Sequence, residues 1–412
     1  MRVVVAIAVF LLATPARSLD FDAAIGLAPN QPQLAGLQAA QQLRRELDAT
    51  LPTLSGNPEV ALGPGVGVGP AGSGPALQLA LAQSWNLGGL PAARRQAAAA
   101  ERAALAAQWR AQHLQARLAA ARAWLQTAEA QALLLAAEAE LDLAKQLQQL
   151  SQKAAARGVV TAADAAEAAA FAGEVELRAV FYEGEVHDRS ADLARLCALP
   201  PEPLPEASGA PPTVLLPSAA AWRELVARAG ELPAAAQRQL QAQAEAARAT
   251  ETRALHASSL QVGVAATRDS QGELQAFATL GLRWSLFDSG QRVAAVAAEQ
   301  QAHATGEAAQ ARHDAAHLLA QAWHEVEHSR EREAVLRVTI HPAVVELVRL
   351  REQAFQRGAA TVFEVLRARR ERSEAFRRLT EATTDRLWAE IQAWLLAAAL
   401  EQAAPTTGKG AP

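Results

Sequence analysis

Residues His324-Glu325-Val326-Glu327-His328 spell H-E-x-x-H within a segment of helical hydrophobic spacing. Positions i and i+4 of a helix share a face, so the two imidazoles could bind one zinc ion while Glu325 activates a water. That chemistry needs a third ligand. The longest form of the motif would place a histidine where Ala334 stands, and Glu346 and Glu352 lie on the same segment rather than on a facing one. No catalytic residue is therefore assigned, and a zinc hydrolase using His324-Glu325-x-x-His328 is kept only as an alternative. A wider pattern joins His313, His317, His324 and His328, whose spacings of 4, 7 and 4 align them in one stripe. It could make passing contacts with divalent transition metals, or it is a solvated face whose imidazoles fall in register. It defines no firm metal site. The sequence has no phosphate loop, nucleophile triad or zinc-finger spacing, and pairs such as Glu138/Glu140 and Glu331/Glu333 read as solvated helix faces. No enzyme activity and no cofactor are expected. A formal charge of −4, with acids and bases interleaved, leaves no footprint for nucleic acid.

A second constellation occurs twice. Arg157-Gly158-Val159-Val160-Thr161 returns as Arg357-Gly358-Ala359-Ala360-Thr361, two hundred residues later. Each copy lies between Ala-rich helical stretches, so each reads as the tip of a helical hairpin, with Thr161 and Thr361 capping the returning helix. Glycine permits a tight turn, and arginine offers directional hydrogen bonds. A bare helix-hairpin turn is the plain alternative.

The elements that carry these tips are unusually long. Residues 91–156 contain no internal Pro or Gly after Pro91; at 1.5 Å per residue such a helix spans roughly 100 Å. Its second copy covers 291–356, where Gly306 predicts a mild interruption and Pro342 a kink. Return helices follow over 161–198 and 361–401. Leu114, Leu118 and Leu125, and Leu143, Leu147 and Leu150, have the spacings of coiled-coil seams. Shorter helices are predicted over 31–50, 222–229 and 233–257.

Ahead of each long helix the hydrophobic period falls to two. Val60, Leu62, Pro64, Val66 and Val68 alternate with small residues over 58–69, and Leu77, Leu79, Leu81 and Trp85 do so over 76–87, with a turn at 70–74. The second half repeats this with Leu260, Val262, Val264 and Ala266 over 259–267. Leu274, Leu280, Leu282, Trp284 and Leu286 follow over 274–286, with Phe277 an exception on the other face. Strands of about ten residues with one greasy face and one small, polar face suit a membrane β-barrel. Trp85 and Trp284 would then be interfacial anchors. A soluble sheet buried on a core is the alternative. Pro64 predicts an edge, bend or bulge.

Residues 1–18 read as a secretory signal peptide: Arg2, the apolar run Val3–Ala13, and Ala16-Arg17-Ser18 before a cut at Leu19. No cysteine follows it for lipidation, and Cys197 is a lone residue in an apolar segment. The domain reading is a signal peptide at 1–18, a first repeat at 19–199, a linker at 200–216, a second repeat at 217–401 and a disordered tail at 402–412. Four strands cannot close a barrel and an open edge in lipid is forbidden, so copies of the chain must share one.

Several segments match, in order, those of a known family. Asn30-Gln31-Pro32-Gln33-Leu34, Asn57-Pro58, Leu232-Pro233 with Gln243-Ala244-Glu245-Ala246-Ala247, Trp284-Ser285-Leu286-Phe287-Asp288-Ser289-Gly290-Gln291, and Gly358 through Leu366 resemble motifs of the TolC-like outer-membrane efflux family. Gln31 splits an Asn-Pro pair usual there. The resemblance implies an α+β membrane protein with a two-fold internal repeat of β-hairpin plus long helical hairpin. Three chains would form a 12-stranded barrel, continued by an α-helical periplasmic tunnel. It implies a Gram-negative outer-membrane location with a periplasmic extension. The partners it implies are two further copies of the chain, outer-membrane lipid, a periplasmic adaptor (membrane fusion) protein and an inner-membrane pump, with no nucleic acid. The function implied is a passive exit duct for small molecules or metal ions in a tripartite (RND-type) efflux or type I secretion system. Docking on the adaptor carries over onto Arg157, Gly158, Val159 and Thr161, and onto Arg357, Gly358, Ala359 and Thr361. A soluble periplasmic coiled-coil scaffold is the other reading.

Overall fold

The computed structural model describes residues 17–51, 58–69, 72–268, 273–283 and 290–403. The expected apolar run of the signal peptide, Trp284 and the tail from residue 404 lie outside them. The chain divides into two units, residues 36–111 with 230–315, and residues 1–35 with 112–229 and 316–412.

The first of these units holds one sheet. Strands β2 (Glu59–Gly69), β3 (Gly72–Asn86), β5 (Ser259–Arg268) and β6 (Leu274–Arg283) are antiparallel in the order β2-β3-β5-β6. The labels β1 and β4 belong to Arg17–Leu19 and Pro205–Ala207, a parallel pair in the other unit. Each hairpin comes from one half of the sequence, and the β3–β5 pairing joins the halves. β3 starts at Gly72 rather than after residue 74, because Gly-Ser-Gly-Pro extends in register opposite Val66–Gly69. Pro64 lies in unbroken register opposite Leu77, with no bulge. It is tolerated because β2 is an edge strand, where alternate N–H groups need no partner within the sheet. A single chain presents this sheet open, with no closed barrel among the described residues.

Helices α2 (Pro32–Ala49), α3 (Leu90–Ala156), α6 (Pro233–Leu255) and α7 (Gln291–Val335) also enter this unit. Ion pairs tie them together: Arg102 with Asp48 at 2.8 Å, Arg248 with Glu101 at 2.5 Å and Arg238 with Glu307 at 3.2 Å. Gly306 does not interrupt α7, which runs unbroken through it. One glycine costs about 1 kcal/mol of helix propensity, too little to stop a helix of this length.

The other unit is helical. With α3 and α7 it contains α1 (Phe21–Leu27), α4 (Ala162–Leu196), α5 (Ala219–Ala227), α8 (His341–Gln356) and α9 (Val362–Ala403). Leucines make only part of its seams, with Leu125 buried and Leu147 packed against the core. Leu143 and Leu150 are exposed, while Ala116, Ala123, Ala130, Ala137, Ala144 and Ser151 are buried at strict seven-residue spacing along α3. On α9 the buried heptad is Ala368, Ala375, Ala382, Ala389 and Leu396. A seven-residue repeat keeps one stripe facing its partner, and side chains of one carbon let the backbones approach closely. This is how a chain with 4% aromatic residues can still pack. The large side chains cluster elsewhere. Trp124 is buried and donates its Nε1 hydrogen to Leu19 O at 2.8 Å, and Trp222 on α5 donates to Leu319 O at 2.9 Å. Cys197 is packed under α1, and burial pushes its thiol up to about 11, which makes it inert at neutral pH.

At Pro342 the long second helix changes pitch. Residues Leu336–Ile340 form a π turn, closed by His341 N–H donating to Leu336 O. Pro342 has no N–H and its ring crowds the preceding carbonyl. A wider turn relieves both problems and lets helix resume as α8.

Across α7 and α9, Glu333 is buried beside Thr383, Arg386 and Arg337. Burial pushes its carboxyl up, but the Thr383 hydroxyl and then the two guanidiniums outweigh that and hold it below the ordinary value. A lowered native pKa adds stability that is present above the unfolded-state pKa and is lost as pH falls through the native one. Thermal stability should therefore drop on acidification through the carboxylate range. Glu333→Gln should flatten that part of the melting-temperature profile; an unchanged profile would remove Glu333 from the account.

Candidate functional site

Two places in the molecule present chemistry to a partner: one face of the sheet and the two helical tips. Register pairing sorts the sheet residues. Val60, Leu81 and Val264 lie abreast, as do Leu62, Leu79 and Ala266, and Trp85, Leu260 and Leu282. Abreast on the opposite face lie Glu59, Ala82, Gly263 and Thr279, then Gly63, Gln78, Thr267 and Gln275, then Ser84, Gln261 and Gly281. Phe277, beside Ala265, is the one large apolar residue there among the described residues. Among the described residues nothing covers the apolar face: Val66 is 73% and Leu280 77% exposed. Gln83 and Arg268 interrupt it. Trp85 stands at the end of this face, 38% exposed.

At the tips every backbone oddity has a local cause. Arg157 follows the last residue of α3, and Gly158 comes next at φ 70°. Val159 N–H donates to Ala154 O at 3.0 Å and Gly158 N–H to Ala155 O at 3.0 Å. These two bonds are the Schellman closure of a helix C-terminus. The second tip repeats it: Gly358 has φ 72°, Ala359 donates to Ala354 O at 2.8 Å and Gly358 to Phe355 O at 2.9 Å. Thr161 then accepts from Asp164 N–H at 3.1 Å while its own N–H donates to Asp164 Oδ2 at 2.9 Å, a full capping box. Thr361 and Glu364 do the same at 3.3 and 3.0 Å. The carboxylates Asp164 and Glu364 are tip residues that the Arg-Gly-x-x-Thr reading overlooked. The spacing Thr-x-x-Asp and Thr-x-x-Glu was the available signal. Hydrogen bonds from the Thr161 hydroxyl and backbone hold Asp164 below its ordinary pKa, and the Thr361 backbone does so for Glu364.

Turn geometry thus accounts for Gly158, Gly358, Thr161 and Thr361. It does not use the side chains of Arg157, Arg357, Val159 or Ala359, which are exposed. Neither arginine makes an ion pair among the described residues, although arginines nearby do: Arg351 with Glu364 at 2.9 Å, and Arg370 with Glu174 at 2.9 Å. The helices behind the tips share one base, in which Ala144, Phe171, Val175, Val362 and Leu366 pack together. A Cβ at residue 158 would meet nothing within 4 Å. Gly158→Ala should therefore cost only the left-handed backbone term, about 1–2 kcal/mol, and Gly158→Asn less. Chemical denaturation reads both; equal costs would refute the backbone account.

The histidines form an exposed row along one helix. His313, His317, His324 and His328 are exposed on α7. The rings of His324 and His328 stack with centroids 6.0 Å apart and planes 9° from parallel. The carboxylates considered as third ligands are otherwise engaged: Glu346 accepts from Arg349 at 2.7 Å, and Glu352 pairs with Arg369. No group of three or more metal-ligating side chains assembles among the described residues. No described helix is long and apolar enough to cross a membrane.

A β-hairpin, a long helix, a capped tip and a return helix, twice in one chain with both hairpins in one sheet, is the fold of the TolC-like outer-membrane channels. Among solved structures, CusC is similar over 93% of both chains at 17% identity, with a TM-score of 0.76. The outer-membrane channel MtrE of Neisseria gonorrhoeae, in its open state, is similar over 92% of this chain and 88% of its own, at 17% identity and a TM-score of 0.73. The outer-membrane protein VceC of Vibrio cholerae matches 92% of this chain and 95% of its own, at 19% identity and a TM-score of 0.68. No family model matches the sequence, and no curated protein matches it.

Proposed function

We propose that three copies of this chain form an outer-membrane exit duct. Their sheets join into a 12-stranded barrel, and their helices continue it as a tunnel in the periplasm. The duct does no chemistry. The tips dock on a periplasmic adaptor that serves an inner-membrane pump of the efflux (RND) or type I secretion kind, and small molecules or metal ions pass through. The observation that carries this reading is the sheet: an uncovered apolar face backed by small polar residues, with β2 and β6 as open edges. Lipid satisfies the face, and only closure with other copies satisfies the edges. Arg157, Gly158, Val159 and Thr161, with Arg357, Gly358, Ala359 and Thr361, form the docking surface, and Trp85 and Trp284 sit at the membrane interface. Signal cleavage before Leu19 would remove Arg17 and Ser18 from their pairing with Pro205 and Glu206, and leave Leu19 O to accept from Trp124 Nε1 at 2.8 Å and from Ser208 N–H at 3.0 Å. Membrane fractionation followed by light scattering in detergent tests the proposal. A trimer from the outer membrane is expected; a soluble periplasmic monomer would overturn it.

A further inference from the structure

A cleft of about 330 Å³ opens between α3, α4, α8 and α9, away from the tips and within one unit. Its volume lies at the lower end of the range of small-molecule sites. Leu133, Leu143, Val345 and Phe376 give it apolar walls. His341, the residue that closes the π turn, lies against Phe376 with ring centroids 6.4 Å apart.

Two polar groups in this lining are unspent. Glu140 is only 5% exposed. Its Oε2 accepts from Arg178 Nη1 at 3.3 Å and from the Ser373 hydroxyl, while its Oε1 is buried with no hydrogen-bond partner. A buried carboxylate oxygen in that state carries its full desolvation cost, which an N–H or O–H donor would recover. The second group is Arg372. Of the arginines in the lining, Arg178 is paired with Glu140 and Arg377 with Glu374 and Glu381. Arg372 has no acidic partner among the described residues. The cleft therefore offers one uncompensated guanidinium, one unsatisfied acceptor and a greasy wall between them. A guanidinium favours a planar oxyanion that can take two parallel hydrogen bonds.

We infer that this cleft binds a small amphipathic organic acid. Its carboxylate pairs with Arg372, its ring lies on Phe376 and Leu133, and a hydroxyl or amine donates to Glu140 Oε1. Such a ligand is held in the helical wall rather than carried down a duct, so the site stands independently of the channel reading. Occupancy would bridge α3 and α4 to α8 and α9, and so stiffen the two hairpins against each other.

Fluorine NMR titration of the full-length protein in detergent tests this with three probes: a ring-fluorinated para-hydroxybenzoate, its neutral amide and its benzylamine analogue. Saturable binding of the acid is expected, with the amide and amine about tenfold weaker or more, as loss of a charge-assisted hydrogen bond implies. Arg372→Gln should weaken the acid by a similar factor. Ala136→Leu, which fills the cleft from a half-buried position on α3, should abolish binding with helicity unchanged. Equal affinity for all three probes, acid binding indifferent to both variants, or no saturation at millimolar acid would each overturn the proposal. If Arg372→Gln misfolds, Ala136→Leu and the comparison of probes still decide.

Discussion

Leu79→Arg removes the protein from the outer membrane, whereas Gln78→Arg, one residue earlier on the same strand, leaves an assembled trimer. This contrast follows from the register of β3. Leu79 stands abreast of Leu62 and Ala266 on the uncovered apolar face, and Gln78 abreast of Gly63 and Thr267 on the other. An arginine facing lipid near the midplane costs about 2–4 kcal/mol. Three copies in a symmetric assembly raise that to about 6–12 kcal/mol, comparable to the whole stability of a typical domain. The same charge turned toward a wet lumen keeps its hydration. Trimer yield in the outer-membrane fraction, read on an unheated gel, measures both variants. Loss with Gln78→Arg and retention with Leu79→Arg would reverse the two faces and sink the lipid assignment.

The double substitution Arg157→Ala with Arg357→Ala should silence export while leaving the trimer and its melting temperature unchanged. Both side chains are exposed and neither makes an ion pair among the described residues, so their removal costs little stability. Charge-assisted hydrogen bonds are worth about 1.5–3 kcal/mol each. Losing two per chain would lower affinity for an adaptor far more than tenfold. The measurement is susceptibility of the host to a panel of antibiotics and metal salts, compared with a deletion strain. Wild-type susceptibility in the double variant would take docking away from the arginines. A fall in melting temperature would make them structural instead.

Much of this architecture was legible in the residues because it rests on local periodicity. Alternation from Val60 to Val68 and from Leu260 to Ala266 fixes which side chains share a face, whatever the strands pair with. Gly158, Gly358, Thr161 and Thr361 announce a turn because the turn needs a left-handed residue and a side-chain cap at those spacings. Other features depend on contacts that one-dimensional spacing does not contain. Of the leucines at seam spacing, Leu125 and Leu147 pack inward while Leu143 and Leu150 face out, because the buried stripe runs through alanines whose abundance masks their heptad. Gly72 to Pro75 has the composition of a turn and became strand, since an antiparallel partner can hold even glycine extended. Pro342 promised a break, and the chain met it with one wider turn. Arg372 and Glu140 are far apart in sequence and look like ordinary solvated charges until four helices enclose them.

The tips carry one more consequence. The hydrogen bonds that close each turn are local: Gly158 and Val159 donate to Ala155 and Ala154, Gly358 and Ala359 to Phe355 and Ala354, and each threonine is boxed by the carboxylate three residues on. The five turn residues themselves, 157–161 and 357–361, should be exchangeable without touching Phe355 and Val362, which pack in the base beneath. What that exchange would move is small: Val159, 74% exposed, and Val160 against the methyl groups of Ala359 and Ala360. In a threefold ring that difference alternates, greasy then bare, around six positions. A partner with its own threefold symmetry could read the alternation as a phase mark, while one with sixfold symmetry would be blind to it.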